Sequence, residues 1–335
     1  MATLPVTNPT LLDLANRMDP DGKIPAIVEI LNETNEILDD MSWMEGNLPT
    51  GHKTKVRTGI PEPTWRRLYQ GVMPTRSTAA EVTDTTGMME AYSEIDVVEA
   101  DLNGNTSEFR LSEDRPHLEG FNQSLAESIF YASELTTPAK FTGFAPRYNS
   151  LSAENAENII DAGGTGTDNA SIWLVVWGDQ TTFGIVPKGI PAGLKHDDKG
   201  QLTVATHDAA GNYTGKMEAY VTHYSQHAGL VLKDWRYVVR IANIDKSLMV
   251  RDAATGADIV DLLTQAVEIP PNLTMGRAAI YVPKAVRSMM RRQIVNKVAA
   301  STLSMETVGG KKVVMFDGIP VRTCAALSGD EARVV

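Results

Sequence analysis

Hydrophobic positions near the start of the chain keep a helical period. After the turn signal from Asp19 to Gly22, Ile27, Ile30, Leu31, Thr34, Ile37, Leu38 and Met41 share one face. Glu29, Glu33, Glu36 and Asp40 cover much of the remainder, so an acidic amphipathic helix is predicted behind a polar N-terminal arm. From Asn47 to about Val98 that period is lost. Pro49, Gly51, Gly59, Pro61, Pro63, Gly71, Pro74 and Gly87 interrupt short alternating runs such as KTKVRT and MEAYSEIDV, the pattern of a long, exposed β-hairpin or loop.

Helical spacing returns in SEDRPHLEGFNQSLAESIFYASEL. Asp114 is placed to cap, Pro116 to occupy the first turn, and Leu118, Phe121, Leu125, Ile129 and Ala132 to form the buried stripe. FTGFAPRYN and ENIIDAGGTGTDNAS read as turn-rich linkers. SIWLVVWG and TTFGIVP read as strands, and GLVLKDWRYVVRIANI as one long strand with two different faces, Val231, Lys233 and Trp235 against Leu232, Asp234 and Arg236. The remainder reads as a helix (ADIVDLLTQAVEI), a strand (RAAIYVP), a helix (KAVRSMMRRQIVNKVA) and a hairpin (KKVVMFDGIPVRTC). The expected class is α+β, with a β-rich middle and an α/β end.

Composition narrows what such a chain does. Its 335 residues are 42% hydrophobic, enough for one large or two ordinary domains. A formal charge of −11 argues against a general nucleic-acid binder, because that affinity rests on cations neutralising phosphates. Cys324 is the only cysteine, which excludes an intrachain disulfide or a thiolate zinc cluster. No stretch approaches the roughly 18 apolar residues of a membrane span, and a soluble, cytosolic chain is expected.

Candidate chemistry is sparse. Gly46, Gly51, Lys53 and Thr54 come within one position of a phosphate-binding loop, but His52 intervenes, a helix precedes the glycines and strand-like sequence follows. GGTGTDN, from Gly163 to Asn169, lacks both the final glycine and the leading strand of a dinucleotide fingerprint. His223 and His227 are four apart in sequence that reads as strand, where that spacing separates them by about 13 Å. Cys324 sits in an apolar run and reads as a small buried hydrophobe. HDDKG and DPDG read as solvated turns without calcium-loop spacing. Arg287, Arg291, Arg292 and Lys297 make a basic helix better suited to a partner's carboxylates than to nucleic acid. With no convergent catalytic set, no enzyme and no cofactor are expected.

Longer phrases carry a more specific signal. DPDGKIPAIVEILNETNEILDDMSWMEGNLPTGHKTKVRTGIPEPTWRRLYQGV, EFRLSE, FTGFAPRYNSLSA, SIWLVVWGDQTTFGIVPKG and DWRYVVRIANID resemble the major capsid proteins of tailed bacteriophages, nearest to those of short-tailed phages similar to epsilon15. The resemblance implies a Hong Kong 97-type fold: N-terminal arm and helix in 1–45, extended E-loop in 46–98, peripheral P-domain in 99–250 with a spine helix near 115–136, and axial A-domain in 251–335. The DGIPVRT phrase, Asp317 to Thr323, resembles a step of the axial domain that a strand-rich return normally follows. Here the return strands precede it, and a permuted connectivity is expected, with the peripheral sheet completed before the axial domain begins near Arg251.

The implied function is a structural subunit that assembles as pentamers and hexamers into an icosahedral head around double-stranded DNA. The implied partners are itself, portal, scaffolding and decoration proteins, with weak non-specific contact to packaged DNA and no membrane. Assembly in the host cytoplasm and residence in the virion follow. A nucleotide-binding enzyme using the degenerate phosphate loop, or a decoration module outside the shell, are the alternatives. Lys53, Lys55, Arg57, Arg66, Arg67 and Arg76 stand against only Glu62 between Asn47 and Arg76, so this basic loop is expected to lie over an acidic surface of an adjacent subunit.

Overall fold

A computed structural model describes residues 35–101, 106–208, 210–246, 258–296, 303–308 and 311–335. The first part of the predicted arm helix lies outside these residues, as do Lys297 and the boundary near Arg251. In chain order the elements are α1 (Ile37–Asp40), β1 (Trp43–Glu45), β2 (Gly51–Gly59), β3 (Thr78–Asp96), α2 (Val97–Asp101), α3 (Thr106–Tyr131) and α4 (Phe144–Arg147). There follow β4 (Ile159–Asp161), β5 (Asn169–Trp177), β6 (Thr182–Val186), β7 (Lys195–His207), β8 (Tyr213–Leu232) and β9 (Val238–Asp245). The last are α5 (Ile259–Glu268), β10 (Arg277–Val282), α6 (Lys284–Asn296), β11 (Leu303–Val308), β12 (Lys311–Phe316) and β13 (Ile319–Thr323).

The chain forms two compact units, to both of which β3, α3 and β8 contribute residues. One comprises 88–124 and 193–226. In it β7 runs antiparallel to β8 from Lys195↔Ser225 to His207↔Tyr213. This hairpin contains HDDKG, so the expected solvated turn is strand: Asp198 and Gly200 flank a register shift, and Gly200 has φ +72°. Arg110 of α3 pairs with Asp198 at 2.7 Å and lies over the Tyr220 ring. That guanidinium holds the Asp198 carboxyl below its ordinary pKa. Ile95, Ala100 and Phe109 form a small core with Tyr220 against it.

The other unit comprises 34–87, 125–192 and 227–335, in which one row of paired strands runs β11-β12-β13-β10-β5-β9-β4, with β6 also paired to β5 and β1 to β6. β10 is parallel to β13 and antiparallel to β5. All nine residues of β5 are buried, which explains a continuous apolar run with no alternation. Ile172 and Leu174 face a core shared with Val239, Ile241, Leu263, Ile280, Val286, Phe316 and Val321. Trp173 faces Phe130, Phe144 and Tyr148 on the other side. Two stretches expected to be linkers therefore supply core: Phe144 and Tyr148 are fully buried, and β4 pairs in parallel with β9.

This sheet joins segments that lie on both sides of residue 251. β5 and β9, assigned to a peripheral sheet finished before Arg251, share hydrogen bonds and core with β10, β13 and α5. The sheet does not divide at residue 251. Nor is GLVLKDWRYVVRIANI one strand. Lys233 and Asp234 both donate their amides to the Thr181 carbonyl, Asp234 accepts from the Arg236 amide, and a 3-10 turn over Trp235–Tyr237 separates β8 from β9.

The long helix α3 also differs from expectation. It begins at Thr106, well before the Asp-Arg-Pro signal, and ends at Tyr131, which leaves Pro116 in its interior and Asp114 without a capping position. A proline start signal is ambiguous in a long helix, where loss of one amide is outweighed by the other turns. Leu118 is exposed, whereas Phe121, Leu125 and Ile129 are buried as the stripe requires.

Two buried charge clusters hold the unit together. Asp40, expected on a solvated face, has a fully buried side chain that accepts from Tyr281 at 3.1 Å and meets Arg277 at 2.7 Å and Arg322 at 3.1 Å. Glu36 lies 3.3 Å from Arg322 and 3.8 Å from Arg287. Burial first, and Asp40 second, push the Tyr281 hydroxyl well above its ordinary pKa. In the second cluster Arg240 and Glu331 pair at 2.7 Å, each about nine-tenths buried or more. Glu331 also accepts from Tyr131 and Ser171, and Arg240 donates to the Tyr148 carbonyl.

Glu331→Ala leaves Arg240 buried and unpaired, and should destabilise the subunit by about 3–5 kcal/mol. Arg240→Met with Glu331→Leu should cost far less than that single change, and chemical denaturation of the three proteins checks the difference. Pro116→Ala restores an amide at an exposed helix position, and should stabilise by up to roughly 3 kcal/mol in the same measurement.

Candidate interaction surface on the extended hairpin

β2 and β3 pair antiparallel from Gly51↔Thr85 to Gly59↔Thr78, with a register shift between Arg57 and Gly59. The glycines of the supposed phosphate loop sit at the base of this hairpin. A Cβ on Gly46 would strike the Gly51 carbonyl, and one on Gly51 would strike the Asp84 carbonyl, so both positions serve close backbone approach. The amides that would cradle a phosphate are already used. Gly46 donates to Val186 and Leu48 to Gly51, while the Asn47 side chain accepts from the Lys53 amide at 2.7 Å and donates to the Lys53 carbonyl at 2.8 Å. Geometry and hydrogen bonding leave no anion cradle there.

Below that turn the hairpin is clamped. Asp84 is buried and pairs with Arg147 at 2.8 Å, and Arg147 donates further to the Thr142 and Leu230 carbonyls. Thr85 donates to Glu134 at 2.6 Å. The His52 ring meets Phe183 edge-on at 5.6 Å, and desolvation lowers its pKa despite the opposing field of Asp84.

Beyond Gly59 the strands stop, and residues 60–77 carry only one tight turn, where Gln70 donates to the Arg67 carbonyl and Tyr69 adopts φ 66°. Trp65 is 98% exposed, Met73 84%, and Ile60 and Leu68 85% each, with Tyr69 fully exposed. An apolar group of that size held in water makes this tip a candidate interaction surface.

The six cations singled out in the sequence divide into two sets. Lys53 and Lys55 both pair with Glu81 across the hairpin, and their hydrogen bonds hold the Glu81 carboxyl below its ordinary pKa. These two are satisfied within the chain. Arg57, Arg66, Arg67 and Arg76 are exposed and make no ion pair among the described residues. Sequence reasoning missed the aromatic and aliphatic side chains between those arginines. Their signal was available: Trp65, Leu68, Tyr69 and Met73 lie in a stretch with no periodicity and hence no core face to enter.

The remaining sequence candidates resolve structurally. His223 and His227 lie on β8, and His223 stacks on Tyr92 at 4.5 Å. Cys324 is buried and contacts the Asn35 side chain. Gly163 to Asn169 leads into β5 through a turn closed by Asn169 on the Gly166 carbonyl. Among the described residues no three His, Cys, Asp or Glu converge as a metal site, and no helix is long and apolar enough to cross a membrane.

Comparison with known proteins adds three findings. No curated protein sequence matches the chain. A near-atomic cryo-EM structure of bacteriophage epsilon15 superposes with a TM-score of 0.78 at 35% identity, covering 100% of both chains. The capsid of bacteriophage JBD30 aligns over 97% of this chain and 100% of its own, with 9% identity and a TM-score of 0.48. The α+β capsid fold expected from the resemblance is the fold observed. A family model described as major capsid protein GP7 matches residues 19–335, and the chain belongs to that family.

Proposed function

We propose that this chain is the shell-forming structural subunit of a tailed-phage head, assembling as pentamers and hexamers around double-stranded DNA. The observation that carries the reading is full-length likeness to an epsilon15 structure in a chain whose hairpin tip is exposed and apolar with no use in the isolated subunit. In this reading residues 46–98 are the E-loop, 1–45 the arm, and α3 the spine of a peripheral domain. The sheet from β4 to β13 and its helices then belong to the axial domain, which begins upstream of Arg251.

The physics suits a shell. One sequence must occupy fivefold and sixfold positions, so contacts between copies must tolerate small rotations. A hairpin with a clamped base and a strandless tip adds contact area to a neighbour without altering the subunit's body. Head-to-tail use of such contacts closes rings, which then tile a surface. The net charge of −11 suits a container whose wall binds DNA weakly and releases it. Portal, scaffolding and decoration proteins complete the set of partners in this reading, with assembly in the host cytoplasm. Its chemistry is burial of surface, not catalysis.

Arg66→Glu with Arg67→Glu should lower the yield of heads about tenfold or more when supplied to a phage lacking its own copy of the gene, counted by negative-stain microscopy. Normal head numbers from that variant would overturn the role of the loop. Brief trypsin treatment should cut the unassembled subunit first at Arg66 or Arg67, and spare both bonds in assembled heads. Equal cleavage in the two states, read by mass spectrometry, would show the tip uncovered.

A further inference from the structure

The hairpin tip needs a counterpart, and one strip of the other unit has the matching chemistry. Described residues of 88–124 and 193–226 hold thirteen Asp and Glu against five Lys and Arg, so this part carries much of the chain's negative charge. On β3 strand alternation sets Met88, Glu90, Tyr92 and Glu94 on one face, and all four are exposed. The opposite face is not available, because Ser93 and Ile95 are buried and Ile95 packs with Phe109.

Tyr92 is also held in place before any partner arrives. Its ring stacks on His223 with planes 20° apart, and His223 Nε2 lies 3.5 Å from Glu90 Oε2. Tyr92 nevertheless stays 56% exposed, with Glu90 and Glu94 two residues away on either side. An ordered tyrosine between two carboxylates suits a guanidinium, which stacks on the ring while its N–H groups donate to the carboxylates. Met88, 57% exposed, extends the strip with apolar surface.

The hairpin tip has the complementary composition, with exposed arginines that make no ion pair among the described residues. Trp65, Arg66, Arg67 and Leu68 interleave cations with large apolar groups, as the strip interleaves carboxylates with Met88 and Tyr92. We infer that the Met88–Glu94 strip is the seat for the arginine-bearing hairpin tip of a second copy of this chain. This rests on the shell reading proposed above, and gives it a specific pair of surfaces.

Charge exchange tests the pairing in the full chain, again by head yield on complementation. Glu90→Arg with Glu94→Arg should lower yield about tenfold or more, as Arg66→Glu with Arg67→Glu does. Combining all four changes should restore most heads. The milder Glu90→Gln with Glu94→Gln, which keeps side-chain shape, should lower yield several-fold while the soluble subunit keeps its melting temperature. Normal yield from the Glu90 and Glu94 variants, or no recovery in the combination, overturns this seat. If the Arg66 and Arg67 reversal assembles normally, the loop reading itself fails.

Discussion

Nine consecutive residues of β5 are removed from water on both faces of a sheet, and most of the described fold follows from satisfying that condition. A strand sealed on both sides needs two layers. α5 and α6 supply one, through Leu263 and Val286, and the aromatic set around Trp173 supplies the other. Burying so many strands leaves few places for charge. Among the charges that remain inside, Asp40, Arg240 and Glu331 are each met by two or more partners, and Asp84 is met by Arg147, as a low-dielectric interior requires.

The same condition explains which parts of the fold were legible in the sequence. β5, β6, β10, α5 and α6 were readable because apolar runs and helical spacing report burial directly. The hairpin was readable from its glycines, prolines and alternation. What failed depended on contacts remote in sequence. Nothing near Asp40 announces Arg277, Tyr281 or Arg322, so an acidic residue at helical spacing looked like solvated surface. Nothing within KDWRY announces the Thr181 carbonyl that bends the chain between β8 and β9. FAPRY looked like a linker because its turn is real, while the core that Phe144 and Tyr148 enter is built by strands still to come.

The candidate surface was half legible for a similar reason. Charge is visible in a sequence whether or not it is paired, so six cations stood out equally. Only the cross-strand register, which sets Lys53 near Glu81, separates those consumed by the hairpin from those it displays. Apolar side chains, in contrast, are normally assumed to go inside. A tip where Trp65 and Tyr69 remain in water becomes recognisable as a candidate interface once the core is seen to form without them.

The abrupt end of pairing at Gly59 and Thr78 divides a thermodynamic cost between two events. Ordering the ladder from Gly51 to Gly59 is met once, when the subunit folds. In the shell reading proposed above, residues 60–77, which carry no strand of their own, would be fixed at each association, and fixing backbone costs roughly 1–2 kcal/mol per residue. That deferred entropy weakens every individual engagement, so a misplaced subunit can let go before its ring closes. In that reading fidelity of assembly comes from reversibility, with permanence reached only when many tips are seated together.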